Sequence, residues 1–575
     1  MTNPLTLAVV RHKLKAIAEE MVETMTHTCF SPILNQNQDF SAVLLDADIQ
    51  TVAQAERVPI HMGAMPFAIR SMAEAFADDL SPGDVLMAND PYWGGSHLPD
   101  VTLAMPVFHE GTLQFWVALR AHHGDIGGMA AGGYAAAAQE IWQEGLRLPP
   151  VRLVERGRVR RDVVRLVATN SRRPADLEGD LMAQLASVQV GAVRLDEMFA
   201  RYSTAEVADC VAAMLDGGEA IMRDLLRGCR QGRHEGRSAM EYAPVPGGLL
   251  DLPVTVTLED GRAIVDLTAC PDQVPAFINS PYANTRAAVM VAFLYFSGDE
   301  GGLNDGGARV IEIKTRPGSL VDPRLSAPVG ACTSSTACAV IEAVLSALEK
   351  ADPGRAIGGF ARRFRFALAG QDRAGEPFIW HYFFNKGGAG GSHDHDGWVN
   401  LGGLHNPGGT PCPSIERTEA AYPLFVEEYA LAIDSGGAGE RRGGPGGRLR
   451  LRYEGATGAI LNASGEGVLV PPFGTSGGQP GRSHDYRIVA EGGGERVLGV
   501  HVSGVTIDPG DVLVCASAGG GGYGDPRDRD PEAVRRDVAY GHVSSEVAKS
   551  VYGLREGVGP EVCALADAGA GREFD

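Results

Sequence analysis

The chain has 575 residues and a formal net charge of −21, from 51 basic and 72 acidic side chains. This length exceeds what one hydrophobic core supports, so roughly two to four domains or subdomains are expected. A hydrophobic content of 44% and a charged content of 21% are those of a soluble globular protein. The acidic balance argues against a nucleic-acid-binding or anionic-membrane-binding surface, because both need clustered positive charge.

The cysteines and the N-terminus indicate a cytoplasmic protein. The nine cysteines are dispersed, and only Cys332 and Cys338 lie close together in the sequence. Such an odd, scattered set is typical of reduced thiols. The N-terminus lacks a basic region followed by an apolar run, and no stretch approaches about 18 consecutive apolar residues. Neither a signal peptide nor a membrane span is therefore expected.

Hydrophobic periodicity predicts an α+β fold with several subdomains. Apolar residues recur at helical spacing over 4–28, 162–200 and 204–233, whereas 447–515 alternates like strands. We predict mixed sheets with packed helices and a strand-rich C-terminal part. The predicted regions are an N-terminal α/β region that carries a metal site at 1–240, a central mixed region at 241–410, a strand-rich region with closing helices at 411–555, and a frayed tail at 556–575.

Histidines and carboxylates are concentrated between Asn89 and Gly128. The sequence there contains Asn89-Asp-Pro-Tyr-Trp-Gly-Gly-Ser-His-Leu-Pro-Asp100 and, further on, Ala121-His-His-Gly-Asp-Ile-Gly-Gly128. So many glycines and prolines are incompatible with a regular helix. The density of imidazole and carboxylate groups predicts a metal site.

A hairpin brings the two parts of this stretch together. Residues 101–108 and 112–121 are predicted to be antiparallel strands around a turn centred on Glu110. With this centre, Asp100 would lie opposite Arg120. Side chains alternate between the faces of a strand, so the pairing decides which polar residues can meet.

Strand alternation selects one of two adjacent histidines. His122, two residues beyond Arg120, shares a face with Asp100, whereas His123 points the other way. A register slip of one residue would exchange the two. His97, Asp100 and His122 are therefore predicted to converge. Two imidazoles and a carboxylate suit zinc, manganese or iron with open coordination positions.

Asp39 and His61 are further candidates with two interpretations each. Asp39 begins a predicted strand and is a natural fourth ligand, but an exposed turn aspartate is equally compatible with the sequence. His61 lies in an apolar stretch, where it either supports the site or is a hydrogen-bonded core histidine.

Other polar motifs are less specific. Glu144 could act as a general base, or it could lie on a solvated face or pair with Arg147. The cluster at 393–396, His-Asp-His-Asp, has glycines on both sides, which favours a flexible loop over a metal site. The chain has no phosphate-binding Gly-x-x-x-x-Gly-Lys-Ser/Thr motif and no dinucleotide fingerprint, so no nucleotide site of its own is predicted.

Several longer motifs together resemble a known family. They are Asp39-Phe-Ser-Ala-Val-Leu-Leu-Asp, Gln54-Ala-Glu-Arg-Val-Pro-Ile-His, the two segments between Asn89 and Gly128, Glu140-Ile-Trp-Gln-Glu-Gly-Leu-Arg, Asn170-Ser-Arg-Arg-Pro-Ala-Asp-Leu, Asp434-Ser-Gly-Gly-Ala-Gly, Arg442-Gly-Gly-Pro-Gly-Gly and Gly519-Gly-Gly-Gly-Tyr-Gly-Asp-Pro. With these motifs the chain resembles the hydantoinase B/5-oxoprolinase family, which also includes the acetone carboxylase alpha subunits.

The resemblance implies a B-type subunit that works with a separate hydantoinase A-type subunit. The partner would bind ATP and activate the carbonyl of a small cyclic amide by phosphorylation, and the B-type subunit would complete hydrolysis. A hetero-oligomer with more than one copy of each subunit is expected. By motif, the resemblance implies a divalent metal ion (zinc, manganese or iron) held by Asp39, His97, Asp100 and His122.

The predicted function is therefore a metal-dependent hydrolase of hydantoin or 5-oxoproline type. His123, Asp125 and Glu144 are candidates for the base that takes the proton of the attacking water. One alternative is the alpha subunit of an ATP-dependent ketone carboxylase. Another is a non-catalytic scaffold with a closed structural metal site.

Overall fold

The computed structural model describes residues 3–55, 57–298, 304–408 and 410–554. Within these ranges the chain forms helices and four β-sheets, which confirms the predicted α+β class. The tail predicted to fray at 556–575 lies outside the described residues.

The first sheet has seven strands in the spatial order β2-β1-β5-β4-β3-β6-β7, and all neighbours are antiparallel. Its strands are β1 (Phe40–Asp46), β2 (Thr51–Ala55), β3 (Val85–Ala88), β4 (Asp100–His109), β5 (Thr112–His122), β6 (Val151–Glu155) and β7 (Arg158–Val159). The helices of this part are α1 (Pro4–Thr28), α2 (Pro32–Asn35), α3 (Pro59–Ala75), α4 (Arg161–Thr169), α5 (Pro174–Phe199) and α6 (Thr204–Gly228).

The two faces of this sheet pack against different helices. Val117 and Leu119 belong to the core that the sheet forms with α1 and α5, whereas Trp116 and Ala118 pack with Met65 of α3. Because side chains alternate along a strand, the even-numbered residues of β5 face α3. The polar end of the hairpin therefore also divides its side chains between these two faces.

The β4–β5 hairpin is closed by a tight turn and then interrupted by a bulge. Glu110 and Gly111 form the turn and both have positive φ values, 50° and 78°. The pairing shifts by one residue between Val107 and Phe108. A two-residue turn and a bulge replace the simple turn centred on Glu110.

These features change the predicted register but not its consequence. Asp100 pairs with His122, and Arg120 pairs with Thr102, so the expected pairing of Asp100 with Arg120 is wrong. The actual register differs from the prediction by two residues, which leaves the alternation of faces intact. The expectation that Asp100 and His122 share a face is confirmed.

A second sheet has the order β11-β10-β9-β8, with β10 and β11 parallel. Its strands are β8 (Gly232–Glu241), β9 (Leu249–Glu259), β10 (Arg262–Asp266) and β11 (Ile311–Lys314), and its helices are α7 (Tyr282–Ser297), α8 (Asp305–Ala308) and α9 (Ala337–Ala351). By length and composition, Cys332–Ala351 could span a membrane, but 89% of its most apolar window is buried inside the fold. That burial is typical of a core helix.

Two further antiparallel sheets form a sandwich, with the orders β13-β12-β16-β19 and β14-β15-β20-β17-β18. The strands are β12 (Phe364–Gln371), β13 (Pro377–His381), β14 (Leu424–Leu431), β15 (Gly447–Tyr453), β16 (Ala459–Gly465), β17 (Asp485–Val489), β18 (Glu495–Val497), β19 (His501–Ile507) and β20 (Val512–Ala516). In the chain, helix α10 (Ile415–Ala421) lies between β13 and β14. Helices α11 (Pro531–Ala539) and α12 (Ser545–Ser550) are the last elements of the described chain. Both sheets contribute to one core, which includes Phe366 and Leu513.

The outer face of the sandwich rests against the loop that follows the hairpin. A Cβ on Gly132 would lie only 2.5 Å from the Cβ of Ala367 in β12, so this approach requires glycine. Strand β12, from the predicted central region, pairs with β16 of the predicted C-terminal region. The division at 1–240, 241–410 and 411–555 stays a prediction.

Candidate metal centre

Three buried side chains meet at the open end of the hairpin. Nε2 of His97 lies 2.9 Å from Oδ1 of Asp100 and 3.1 Å from Nδ1 of His122. The same Asp100 oxygen lies 3.0 Å from the His122 nitrogen. Each residue is at most 7% exposed. Among the described residues, this is the group of at least three His, Cys, Asp or Glu side chains whose donor atoms lie within 4.8 Å of one another.

The hydrogen bonds of His97 make its inward nitrogen a candidate ligand atom. Nδ1 lies 2.8 Å from the carbonyl oxygen of Gly330, which can only accept, so Nδ1 carries the proton of the neutral ring. Nε2 then presents a lone pair to the Asp100 oxygen. This arrangement is favourable only with a proton or a metal ion between the two atoms. Metal-binding histidines commonly donate their other N–H to a carbonyl in this way, so the residues fit a divalent ion.

Asp100 is the charge around which the group is arranged. Its Oδ2 accepts a hydrogen bond from Ser96 and lies 3.5 Å from Nε2 of His61. Burial alone would raise the pKa of this carboxyl, but the charges of His97 and His61 and the hydrogen bonds from His122 and His97 hold the pKa well below its usual range. The pKa of His97 is raised although burial alone would lower it, because Asp100 stabilises the protonated ring.

Arg120 supports this arrangement from near the end of β5. It is fully buried, donates to Oγ1 of Thr102 at 2.8 Å, and lies 3.4 Å from Oγ of Ser96. Burial lowers the pKa of Arg120 to about 10, although the charge of Asp100 opposes this effect. The sequence offered one signal of this role, since Arg120 is a charged residue at an inward position of an otherwise apolar strand.

Asp39 and His61 lie beside the three donors. The carbonyl oxygen of Asp39 accepts the backbone N–H of His122 at 2.9 Å, and Oδ1 of Asp39 lies 3.9 Å from Nε2 of His61. Nε2 of His61, in the first turn of α3, thus lies near carboxylate oxygens of both Asp39 and Asp100. Burial lowers the pKa of His61, although the charges of Asp100 and Asp39 raise it. The role of Asp39 as a fourth ligand stays a proposal.

His123 and Asp125 make their contacts away from the three donor atoms. Nε2 of His123 lies 3.0 Å from Oε1 of Gln184 in α5. Asp125 accepts hydrogen bonds from Arg172 at 3.0 Å and from the amide of Gly127 at 3.2 Å. These contacts hold the loop that follows β5. A catalytic role for either residue stays a prediction.

Glu144 holds the segment that positions His97. Its two carboxylate oxygens accept the amides of Val329 and Gly330, at 3.0 and 2.7 Å. Burial raises the pKa of Glu144 to about 7, and the two amides limit this rise. The alternatives of a solvated face and a pair with Arg147 are both wrong, because Glu144 is 3% exposed and Arg147 pairs with Asp90 at 2.8 Å.

Two other features bear on the predicted sites. In the cluster at 393–396, His393 pairs with its exposed neighbour Asp394, while Asp396 accepts from Arg529 at 2.6 Å. This cluster is therefore a loop held by ion pairs.

A cleft of about 360 Å³ reaches the residues directly after His122, and His381 of β13 also lines it. No local sequence pattern links His381 to the hairpin, which is 250 or more residues away in the chain.

Comparison with known proteins agrees with the motifs. The sequence model described as hydantoinase B/oxoprolinase matches residues 3–526. The beta subunit of caprolactamase from Pseudomonas jessenii is 34% identical over 566 residues, with 96% of each chain covered. The B component of a putative D-/L-hydantoinase from Pseudomonas sp. is 28% identical, with coverage of 96% of this chain and 95% of that protein.

Solved structures show the same fold. The crystal structure of ATP-dependent caprolactamase from Pseudomonas jessenii matches with a TM-score of 0.91 at 33% identity, and 99% of each chain is covered. The nucleotide-free structure of acetone carboxylase matches with a TM-score of 0.88 at 20% identity, with coverage of 97% of this chain and 81% of that chain. At 20% identity, this second likeness concerns the fold alone.

The adjacent histidines provide a matched test of the donor set. His122→Ala should lower the bound divalent metal by about tenfold or more, because it removes a ligand atom. His123→Ala should retain the metal, because its ring bonds to Gln184 on the other face of the sheet. The measurement is metal content per chain after loading with zinc or manganese and removal of excess ion. Equal metal loss in both variants would contradict the assignment.

Proposed function

This chain belongs to the hydantoinase B/oxoprolinase family, and on that basis we propose that it is the metal-dependent B-type subunit of an ATP-dependent cyclic amide hydrolase. Its substrate would be a small ring of hydantoin or 5-oxoproline type. An ATP-binding A-type partner would activate the ring carbonyl, and this chain would complete the hydrolysis.

The observation that carries this proposal is the convergence of His97 Nε2, Asp100 Oδ1 and His122 Nδ1. With Asp39, these residues would hold zinc, manganese or iron. A divalent ion would supply a bound water of lowered pKa and would polarise the ring carbonyl. The protein's own contribution is orientation, since the Gly330 carbonyl holds the ring of His97 in the required tautomer.

The proton of the attacking water needs an acceptor, for which His123, Asp125 and Glu144 are the candidates. Glu144 has the best support, because burial raises the pKa of its carboxyl to about 7, a range suited to proton transfer near neutral pH. All three side chains already have hydrogen-bond partners: His123 bonds Gln184, Asp125 bonds Arg172, and Glu144 accepts two backbone amides.

The partner and location follow from the family and the cysteines. Relatives named as the beta subunit of caprolactamase and the B component of a hydantoinase support assembly with an A-type partner in a hetero-oligomer, with ATP bound by that partner. The absence of a nucleotide-binding motif in this chain agrees with that division of labour. The cysteines in the described residues are free thiols, which is consistent with a cytoplasmic location.

Two other functions each have one observation in their favour. The fold of acetone carboxylase supports a carboxylase alpha subunit that acts on a ketone. Burial of all three donor residues supports a structural metal site in a scaffold protein. Hydrolysis remains the better proposal, because identity to the caprolactamase chain is 34%, against 20% to acetone carboxylase.

Replacement of one donor tests metal-dependent catalysis. In the complex with the A-type partner, His97→Ala should lose bound metal and lower substrate turnover by about 100-fold or more. His234→Ala is the matched control, since His234 is also buried and also bonds a backbone carbonyl, that of Arg230. The control should keep its metal and its activity. Full activity of a metal-free His97→Ala complex would refute the proposal.

Substrate choice separates the hydrolase from the carboxylase. The complex should open hydantoin, 5-oxoproline or lactam rings with ATP, and its rate should not depend on bicarbonate. Product formation would be followed by chromatography together with ADP release. Turnover of ketones that requires bicarbonate, without ring opening, would identify the carboxylase instead. Wild-type metal content without either activity would favour the scaffold.

A further inference from the structure

Arg363 and Arg365 point out of the sandwich toward the first sheet. Arg365 belongs to β12, and Arg363 directly precedes this strand. The two residues are two positions apart, so they share a face, whereas Phe364 and Phe366 belong to the sandwich core. Both guanidinium groups lie over the ring of Phe383, at 5.9 and 4.4 Å from its centroid.

Neither arginine has a carboxylate partner among the described residues. Arg365 is 3% exposed; its Nη1 donates to the carbonyl of Tyr382 at 3.1 Å, and its Nε has no partner. The half-buried Arg363 donates to the hydroxyl of Tyr134 at 3.0 Å, and its Nε is also unpartnered. Buried arginines in proteins are normally paired, because an isolated charge loses its hydration without compensation.

The adjacent Arg362 shows the usual arrangement. It is as buried as Arg365, at 3% exposure, but it forms ion pairs with Glu342 and Glu466. Burial lowers the pKa of Arg365 to about 10, and the positive charge of Arg363 lowers it further. The fold thus neutralises Arg362 with its own carboxylates and leaves Arg365 without an anion.

Lys386 adds a third basic group to this cluster. It is 8% exposed, and it forms no ion pair with any carboxylate in the described ranges. Burial lowers the pKa of Lys386 to about 8; the Cys412 thiol has the opposite influence, and the charge of Arg365 lowers the pKa further. Lys386 follows Phe383, whose ring lies under both guanidinium groups, by only three positions in the chain.

The cluster lies beside the candidate metal centre. The hydroxyl of Tyr134 accepts from Arg363, and the ring of Tyr134 lies 6.1 Å from the ring of His381. A Cβ on Gly124, two residues after His122, would lie 3.4 Å from Cε1 of His381. An anion held by the arginines would thus lie on the sandwich side of the three metal-binding candidates.

We propose that Arg363, Arg365 and Lys386 form a subsite for the phosphoryl group of the activated substrate and for the inorganic phosphate released later. This inference rests on the proposed function, in which the A-type partner delivers a substrate phosphorylated on its carbonyl oxygen. Three basic groups without a carboxylate match a phosphate dianion better than a monoanion, and guanidinium groups fit its oxygens in bidentate geometry. The side chains bind and orient the group, and they form no covalent bond to it.

Titration of inorganic phosphate into the purified, metal-free chain tests this subsite, with acetate as a monoanionic comparison. Calorimetry should show phosphate binding that Arg365→Met and Arg363→Met each weaken by about tenfold or more, the factor expected from loss of one charge-assisted hydrogen bond. Phosphate should raise the thermal midpoint of the wild type but not that of Arg365→Met. Exposed Arg496→Met on the sandwich is the control and should bind phosphate normally.

The two proposals can fail separately. Phosphate binding should persist in His97→Ala, because that residue is not part of the subsite. No phosphate binding by the wild type, binding no tighter than that of acetate, or unchanged affinity in both arginine variants would overturn the subsite. Those results would leave the metal-dependent function standing if His97→Ala is inactive. Phosphate binding as expected, together with full activity of metal-free His97→Ala, would reject the hydrolase mechanism instead.

Discussion

The ionised carboxylate of Asp100, removed from water, is the constraint on which the rest of the site depends. A buried charge is tolerated only where opposite charge and hydrogen bonds replace its hydration. His97 and His122 contact one of its oxygens, while Ser96 and His61 lie at the other. A divalent ion between the carboxylate and the two imidazoles would satisfy the same requirement and would also use the lone pair that His97 directs inward.

Each layer of the fold supplies part of this arrangement. The hairpin brings Asp100 and His122 together on one face of the first sheet, and α3 places His61 against that face. The segment before α9 contributes the carbonyl of Gly330, which orients His97. The sandwich contributes His381 and Arg363, and Arg363 donates to Tyr134, whose ring lies 6.1 Å from that of His381. The site therefore depends on segments from most of the chain, in keeping with a family match that spans residues 3–526.

Local sequence patterns predicted the centre of the site better than its surroundings. Strand alternation correctly put His122, and not His123, on the face of Asp100, even though the register was displaced by two residues. A turn and a bulge preserve parity when their shifts add to an even number. The contact between His97 and Gly330 spans 233 positions, and no local periodicity indicates such a pairing. No sequence pattern indicates that Arg365 lacks an anionic partner, since the nearby Arg362 has the same side chain but forms ion pairs with two glutamates.

The central claim is that His97, Asp100 and His122 hold a catalytic divalent ion, and anomalous diffraction tests it most directly. Data would be collected at the absorption edge of the metal from crystals of the active complex. The account predicts an anomalous peak about 2.0–2.3 Å from His97 Nε2, Asp100 Oδ1 and His122 Nδ1. A peak elsewhere in the chain, or none in crystals of fully active enzyme, would contradict it.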